Sequence, residues 1–152
     1  MEKDKLDRGD ILIVDDTLPN LQTLSSILAE QGYRVRGARE GPTALMIVDA
    51  DPPDLILLDI LMPSMDGYEV CRQLQSEART RDIPVLFISA LDDMADRIKG
   101  FEAGGVDYIA KPFEPTEVLA RVKTHLTIRT TQTQLKAANR QLGITRDELE
   151  RL

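Results

Sequence analysis

Three short apolar runs limit most sharply what this chain can become: residues 11–14 (ILIV), 54–58 (DLILL) and 83–89 (IPVLFIS). Within each run polar and apolar residues do not alternate. Each is too short for a buried helix and is rich in branched side chains, so each reads as a strand covered on both faces. The stretches between them have helical periodicity. Pro19 opens an amphipathic run through Leu21, Leu24, Ile27 and Leu28 that stops at Gly32. Gly41-Pro42 opens another, with Ala44, Leu45 and Val48 on its inner side. Asp66-Gly67-Tyr68-Glu69 fits an N-cap with a glutamate at N3, ahead of Val70, Cys71 and Leu74. A further helix runs from about Asp92 to Gly104-Gly105, and Pro115 opens the last. Two weaker strands complete the pattern: residues 33–37 (YRVRG), with Arg34 and Arg36 marking a sheet edge, and residues 106–109 (VDYI). Five strands alternating with five helices imply an α/β fold, a parallel sheet with helices on both faces and the three apolar strands at its centre.

Composition narrows the function classes. Residues 1–115 carry 12 Lys and Arg against 22 Asp and Glu, and residues 116–152 carry 7 against 4. The acidic body argues against bulk nucleic-acid binding by these residues. The basic end has spread charges and no interleaved aromatics, which fits a solvated helix face. No stretch is apolar and long enough to span a membrane, and the charged start MEKDKLDRGD lacks the apolar stretch of a signal peptide. The expected location is therefore cytoplasmic. The single cysteine, Cys71, has no partner for an internal disulfide, and reads as a small buried hydrophobe.

In an open parallel α/β sheet, ligands bind at the carboxyl ends of the strands. Asp15-Asp16 follows the first strand, Asp59 the third, Ser89-Ala90 ends the fourth and Lys111-Pro112 follows the fifth. Three carboxylates, a hydroxyl and an ammonium therefore meet at one end of the sheet. Three adjacent carboxylates repel one another unless a cation lies among them. Hard oxygen ligands without a histidine cluster favour Mg2+ (or Mn2+) over a soft metal. The lysine suits an anion such as a phosphoryl group.

In order along the chain, DD (15–16), LLDILMPSMDGYE (57–69), SA (89–90) and YIAKPF (108–113) closely resemble the receiver domain of two-component response regulators, over about residues 10 to 126. The resemblance implies a flavodoxin-like (βα)5 fold, a doubly wound sheet in the order 2-1-3-4-5 as in chemotaxis receivers. It implies that Asp59 is the phosphoacceptor, taking a phosphoryl group from a phosphohistidine on a sensor histidine kinase or phosphotransfer protein. By the same resemblance Asp16, Asp59 and the backbone carbonyl of Leu61 hold Mg2+ directly and Asp15 holds it through water. Lys111 pairs with a phosphoryl oxygen, Ser89 donates to another, and Tyr108 is the aromatic switch that turns inward as Ser89 moves. The Lys111-Pro112 bond is expected to be cis. Leu61 and Leu91 stand where the family tunes hydrolysis, so slow autodephosphorylation is expected. His125 lacks the neighbours of a kinase phosphodonor box and reads as structural. Met62, Met65 and Met94 read as packing near the site.

The implied role is a signalling switch and not a metabolic enzyme. A Mg2+ phosphohydrolase with an aspartyl intermediate would need an acid two residues after Asp59, where Leu61 stands. A flavin module of similar topology would need a Ser/Thr/Gly-rich loop after the first strand, where DDTLPN is acidic. A standalone receiver that acts by docking on partners is the serious alternative. From Pro115 the chain runs 28 residues without Gly or Pro until Gly143, and Ile128, Leu135, Leu142 and Leu149 are spaced by sevens. Thr145-Arg146-Asp147-Glu148 also fits a capping box, so a fresh helix near Gly143 is an alternative. The expected division is a tail (1–9), a receiver domain (10–126) and a helical linker (127–152). That linker would pair two chains as a coiled coil and lead to an output domain after Leu152.

Overall fold

The computed structural model describes residues 8–142. Along the chain it shows β1 (Asp10–Val14), α1 (Leu18–Glu30), β2 (Arg34–Ala38), α2 (Gly41–Ala50) and β3 (Leu55–Leu58). Then come α3 (Gly67–Gln75), β4 (Val85–Ser89), α4 (Met94–Ala103), β5 (Asp107–Ala110) and α5 (Pro115–Leu142). All strand pairs are parallel, in the order β2-β1-β3-β4-β5. The chain starts in β1, adds β2 on one side and continues from β3 on the other. The switch in order, and with it the binding crevice, therefore lies between β1 and β3.

Strand side chains alternate between two cores. Ile11, Ile13, Leu55, Leu57, Leu86 and Ile88 pack on α1 and α5 through Leu24, Leu28, Val118 and Val122. Leu12, Val14, Ile56, Leu58, Val85 and Phe87 pack on α2, α3 and α4. Each fully buried Leu or Ile contributes about 1.5–3 kcal/mol relative to exposure. The edge position of β2 agrees with its two arginines. Strand ends differ slightly from hydropathy because pairing decides them: Ala38 joins β2 opposite Val14, and Ala110 joins β5 opposite Ser89. Ile83 and Pro84 are buried but precede β4, since proline has no N–H for the ladder; the Pro84 carbonyl still accepts from Ile56 N at 3.0 Å.

The helix signals act as the sequence suggests. Asp66 Oδ1 accepts from Glu69 N at 2.9 Å, and Asp93 Oδ1 from Asp96 N at 2.9 Å. Gly104 ends α4 at φ +113°, a left-handed conformation that L side chains rarely adopt. α5 is about 42 Å long at the usual rise. Its buried residues are Val118, Val122 and Leu126, all in its first half. Beyond them Arg129 donates to the Asp82 carbonyl at 2.7 Å and Lys136 pairs with the Asp82 carboxylate at 2.9 Å. Ile128, Leu135 and Leu142 are 46%, 50% and 72% exposed. Leu149, the 145–148 capping box and the proposed break at Gly143 lie outside the described residues. No described helix is long and apolar enough to cross a membrane.

Gly67 carries the loop after β3 back against that strand. Its N–H donates to the Ile60 carbonyl at 2.9 Å, and a Cβ added there would lie 2.3 Å from the Asp59 carbonyl oxygen. Gly67→Ala is expected to lower stability by about 1–3 kcal/mol through this clash with backbone. A urea unfolding midpoint equal to wild type would contradict the close approach.

Candidate functional site

Asp15 and Asp59 stand one residue beyond the ends of β1 and β3. Backbone bonds fix both: Asp15 N donates to the Ala38 carbonyl at 3.0 Å and Asp59 N to the Val14 carbonyl at 2.9 Å. Sheet pairing thus continues far enough to set the two carboxylates side by side. Asp15 is fully buried and Asp59 is 4% exposed. Thr17 orients Asp15, whose Oδ1 accepts from Thr17 N at 2.9 Å and from Thr17 Oγ1 at 2.8 Å. Thr17 occupies the N-cap position of α1 but makes no capping bond, because its hydroxyl turns back to Asp15.

Lys111 enters from the end of β5. Its N–H donates to the Ser89 carbonyl at 2.9 Å, and the following bond to Pro112 is cis, as expected. Its Nζ lies 2.8 Å from Asp15 Oδ2 and 3.2 Å from Asp59 Oδ2. Asp16 is half-buried, and one carboxylate oxygen from each of Asp15, Asp16 and Asp59 lies within 4.8 Å of the others. Lys111 thus meets two of the three carboxylates, while Arg39 reaches Asp16 at its backbone carbonyl, 3.2 Å away. Burial raises Asp59 above the ordinary carboxylate range; Lys111 opposes this without cancelling it, and Asp15 adds to it. For Lys111 burial favours the neutral form, but the bonds and charges of Asp15 and Asp59 outweigh it and raise the pKa. A donor set of clustered hard oxygens with an uncompensated negative charge fits a divalent cation such as Mg2+.

Ser89 is fully buried, and its Oγ accepts from Leu91 N at 3.3 Å. Tyr108 already lies inward at 2% exposure, the position expected of it on switching, and its hydroxyl donates to the Leu91 carbonyl. Burial, with the nearby Tyr68 and Asp96, pushes its pKa up to about 12, so the hydroxyl stays a donor. Leu61 is exposed two residues past Asp59, while Leu91 is half-buried against the core. Met62 and Met65 pack against the core as expected, but Met94 does not: it opens α4 on the outer side, 76% exposed. Cys71 is buried with its thiol pKa pushed up to about 12 by burial, an inert hydrophobe.

The structure adds residues that sequence reading passed over. Thr17 is one; its i, i+2 spacing from Asp15 is an Asx-turn signal. Asp107 on β5 is another, binding His125 Nε2 at 2.9 Å and Arg121 at 2.6 Å. Burial alone would raise the Asp107 pKa, but Arg121 and His125 bring it below the ordinary value. His125 is thus tied to an acid that lies 18 positions away in sequence.

A family profile described as the response regulator receiver domain matches residues 11–123. The chain belongs to that family. It is 42% identical over 137 residues to the response regulator PleD of Caulobacter vibrioides, covering 88% of this chain and 30% of that protein. It is 44% identical over 126 residues to a probable cyclic di-GMP phosphodiesterase of Vibrio cholerae, covering 83% of this chain and 28% of that one. The chain thus spans under a third of the length of these two receiver-containing relatives. A putative response regulator of Chloroflexus aurantiacus superimposes with a TM-score of 0.76 at 40% identity, over 78% of this chain and 98% of that one.

The raised Asp59 pKa sets the sign of a stability effect. A carboxylate held above its unfolded value makes the folded state more stable as pH falls through that raised value, and its ionisation opposes folding at neutral pH. Asp59→Asn in chelator at pH 7 is therefore expected to melt at a higher temperature than wild type, with the gap closing on acidification. A lower melting temperature for the variant at pH 7 would show that Lys111 more than compensates the ionised carboxylate.

Proposed function

We propose that the receiver takes a phosphoryl group from a phosphohistidine of a sensor histidine kinase or phosphotransfer protein onto Asp59. The observation that supports this most is the Lys111 ammonium bridging the buried Asp15 and Asp59 carboxylates at the switch point of the sheet. An Asp59 oxygen attacks phosphorus; the O–P bond forms as the N–P bond breaks, and the electron pair returns to the donor imidazole. Lys111 already touches Asp59 and supplies a cation for a phosphoryl oxygen. Ser89 Oγ, now accepting from Leu91 N, has a proton to donate to another. Asp16, Asp59 and the Leu61 backbone carbonyl would hold Mg2+, with Asp15 through water. Bound there, the ion would offset charge on the transferring group.

The reading makes the chain a regulatory phosphoacceptor. Movement of Ser89 would disturb Leu91, the residue whose carbonyl Tyr108 holds, and so pass the change to the α4–β5–α5 side. The outward Ile128, Leu135 and Leu142 support pairing of two chains along α5. Relatives about three times as long as this chain support a further, output domain beside the receiver.

One incubation tests the set. With a small acyl-phosphate donor and Mg2+, the chain should gain a single acid-labile phosphoryl group, lost in Asp59→Asn; labelling that persists in that variant would move the acceptor elsewhere. The label should outlast that on a Leu61→Asn/Leu91→Glu variant, and equal decay would remove the shielding role of the leucines. Light scattering of the same samples should show dimer, and a monomer before and after labelling would favour a standalone receiver.

A further inference from the structure

α4 is held differently from the other helices. Its buried residues are only Gly100 and Ala103, whereas α3 buries Tyr68, Val70, Cys71 and Leu74 and α5 buries Val118, Val122 and Leu126. Met94, Ile98 and Phe101 of α4 point outward at 76%, 50% and 51% exposure. With no large side chain of its own in the core, α4 gains little from burial and opens at lower cost than its neighbours.

Two tyrosine hydroxyls from below replace that missing anchor. Tyr108 holds the segment before the helix through the Leu91 carbonyl. Tyr68, the second residue of α3, donates to the carbonyl of Asp96 in the first turn of α4 at 3.1 Å. The two rings are joined by Phe87: centroids lie 5.7 Å apart for Tyr68–Phe87 and 6.2 Å for Phe87–Tyr108. α4 lies directly on this ladder, since a Cβ at Gly100 would sit 3.0 Å from the Phe87 ring. α4 also returns charge to both tyrosines, with Lys99 Nζ 4.6 Å from the Tyr68 centroid and Arg97 5.1 Å from that of Tyr108.

We infer that Tyr68 is a second positioning residue of the switch, pinning the first turn of α4 to the loop that carries Asp59. That loop and Tyr68 are mechanically close: Gly67, its chain neighbour, rests on the Asp59 and Ile60 backbone. The inference rests on the phosphoacceptor reading for its purpose, but the pinning itself does not. Tyr108 is already inward with its hydroxyl on the Leu91 carbonyl, the position expected of it on switching, and the Tyr68 bond to α4 is made together with it. Removing the Tyr68 hydroxyl while keeping the ring frees α4 and takes away a contact that accompanies the inward Tyr108.

The test compares wild type with Tyr68→Phe, which keeps the ring ladder. Hydrogen exchange of the 94–103 amides, without ligand, should quicken about two- to ten-fold, the range for one lost neutral hydrogen bond, while α1 and α2 amides keep their rates. The affinity of the variant for beryllofluoride with Mg2+, a phosphoryl mimic, should fall by a similar factor. Unchanged exchange in α4, or a uniform increase over all helices, would reduce Tyr68 to ordinary packing and overturn the proposal. Equal or tighter beryllofluoride binding by the variant would overturn its link to switching. If wild type itself fails to respond to beryllofluoride, the Asp59 reading falls, and the exchange pattern still decides whether Tyr68 pins α4.

Discussion

Lys111 Nζ lies within 3.2 Å of carboxylate oxygens on both Asp15 and Asp59, and Asp16 completes an acidic group that one ammonium does not neutralise. Ionised carboxylates this far from solvent normally cost several kcal/mol unless compensated. Much of the local fold can be understood as holding that arrangement. β1 and β3 are adjacent because the strand order switches there, so their carboxyl ends deliver Asp15 and Asp59 together. Thr17 gives up its capping role to hold Asp15. Gly67 lets α3 begin against the Asp59 backbone, where any side chain would collide. The pocket is thus left short of positive charge, a condition that favours a divalent cation there.

The same architecture separates what is rigid from what can move. The inner strands and the helices α1, α3 and α5 are anchored by large apolar side chains in two cores. α4 rests on glycine, alanine and two hydroxyl contacts, beside the strand that carries Ser89. A small rearrangement at the end of β4 therefore meets little resistance in α4 and much resistance elsewhere. α5 leaves the body with its first half buried and its second half tethered by Arg129 and Lys136 to Asp82. Exposed ion pairs of this kind contribute about 0–1 kcal/mol each, so they bias the direction of the helix more than they fix it.

Asp59 was legible because an acid within the apolar run LILLDILMP has few structural uses, and Asp15, Asp16, Ser89 and Lys111 because each follows a strand whose hydropathy is unambiguous. The central position of three strands and the edge position of β2 followed from the same hydropathy. The order itself came through family resemblance, since alternation alone does not fix on which side of β1 the next strand lies. Tyr68 was invisible as a contact to α4: in the sequence it stands only within the Asp66–Glu69 helix start, and the partner carbonyl is 28 positions away. Asp107 was passed over for a related reason, because its partners Arg121 and His125 come to it only through the packing of α5 on β5. Strand boundaries shifted by one or two residues where pairing or a proline, and not hydropathy, sets the end.

The central claim is that the acidic group exceeds its lysine by enough charge to bind a divalent cation. Calorimetric titration of Mg2+ into the wild-type chain tests it directly. One saturable site is expected, weakened at least ten-fold by Asp16→Asn, with melting stabilised by about 2.7 kcal/mol at a hundred times the dissociation constant. Absence of saturable binding in wild type, or equal binding in the variant, would contradict the account.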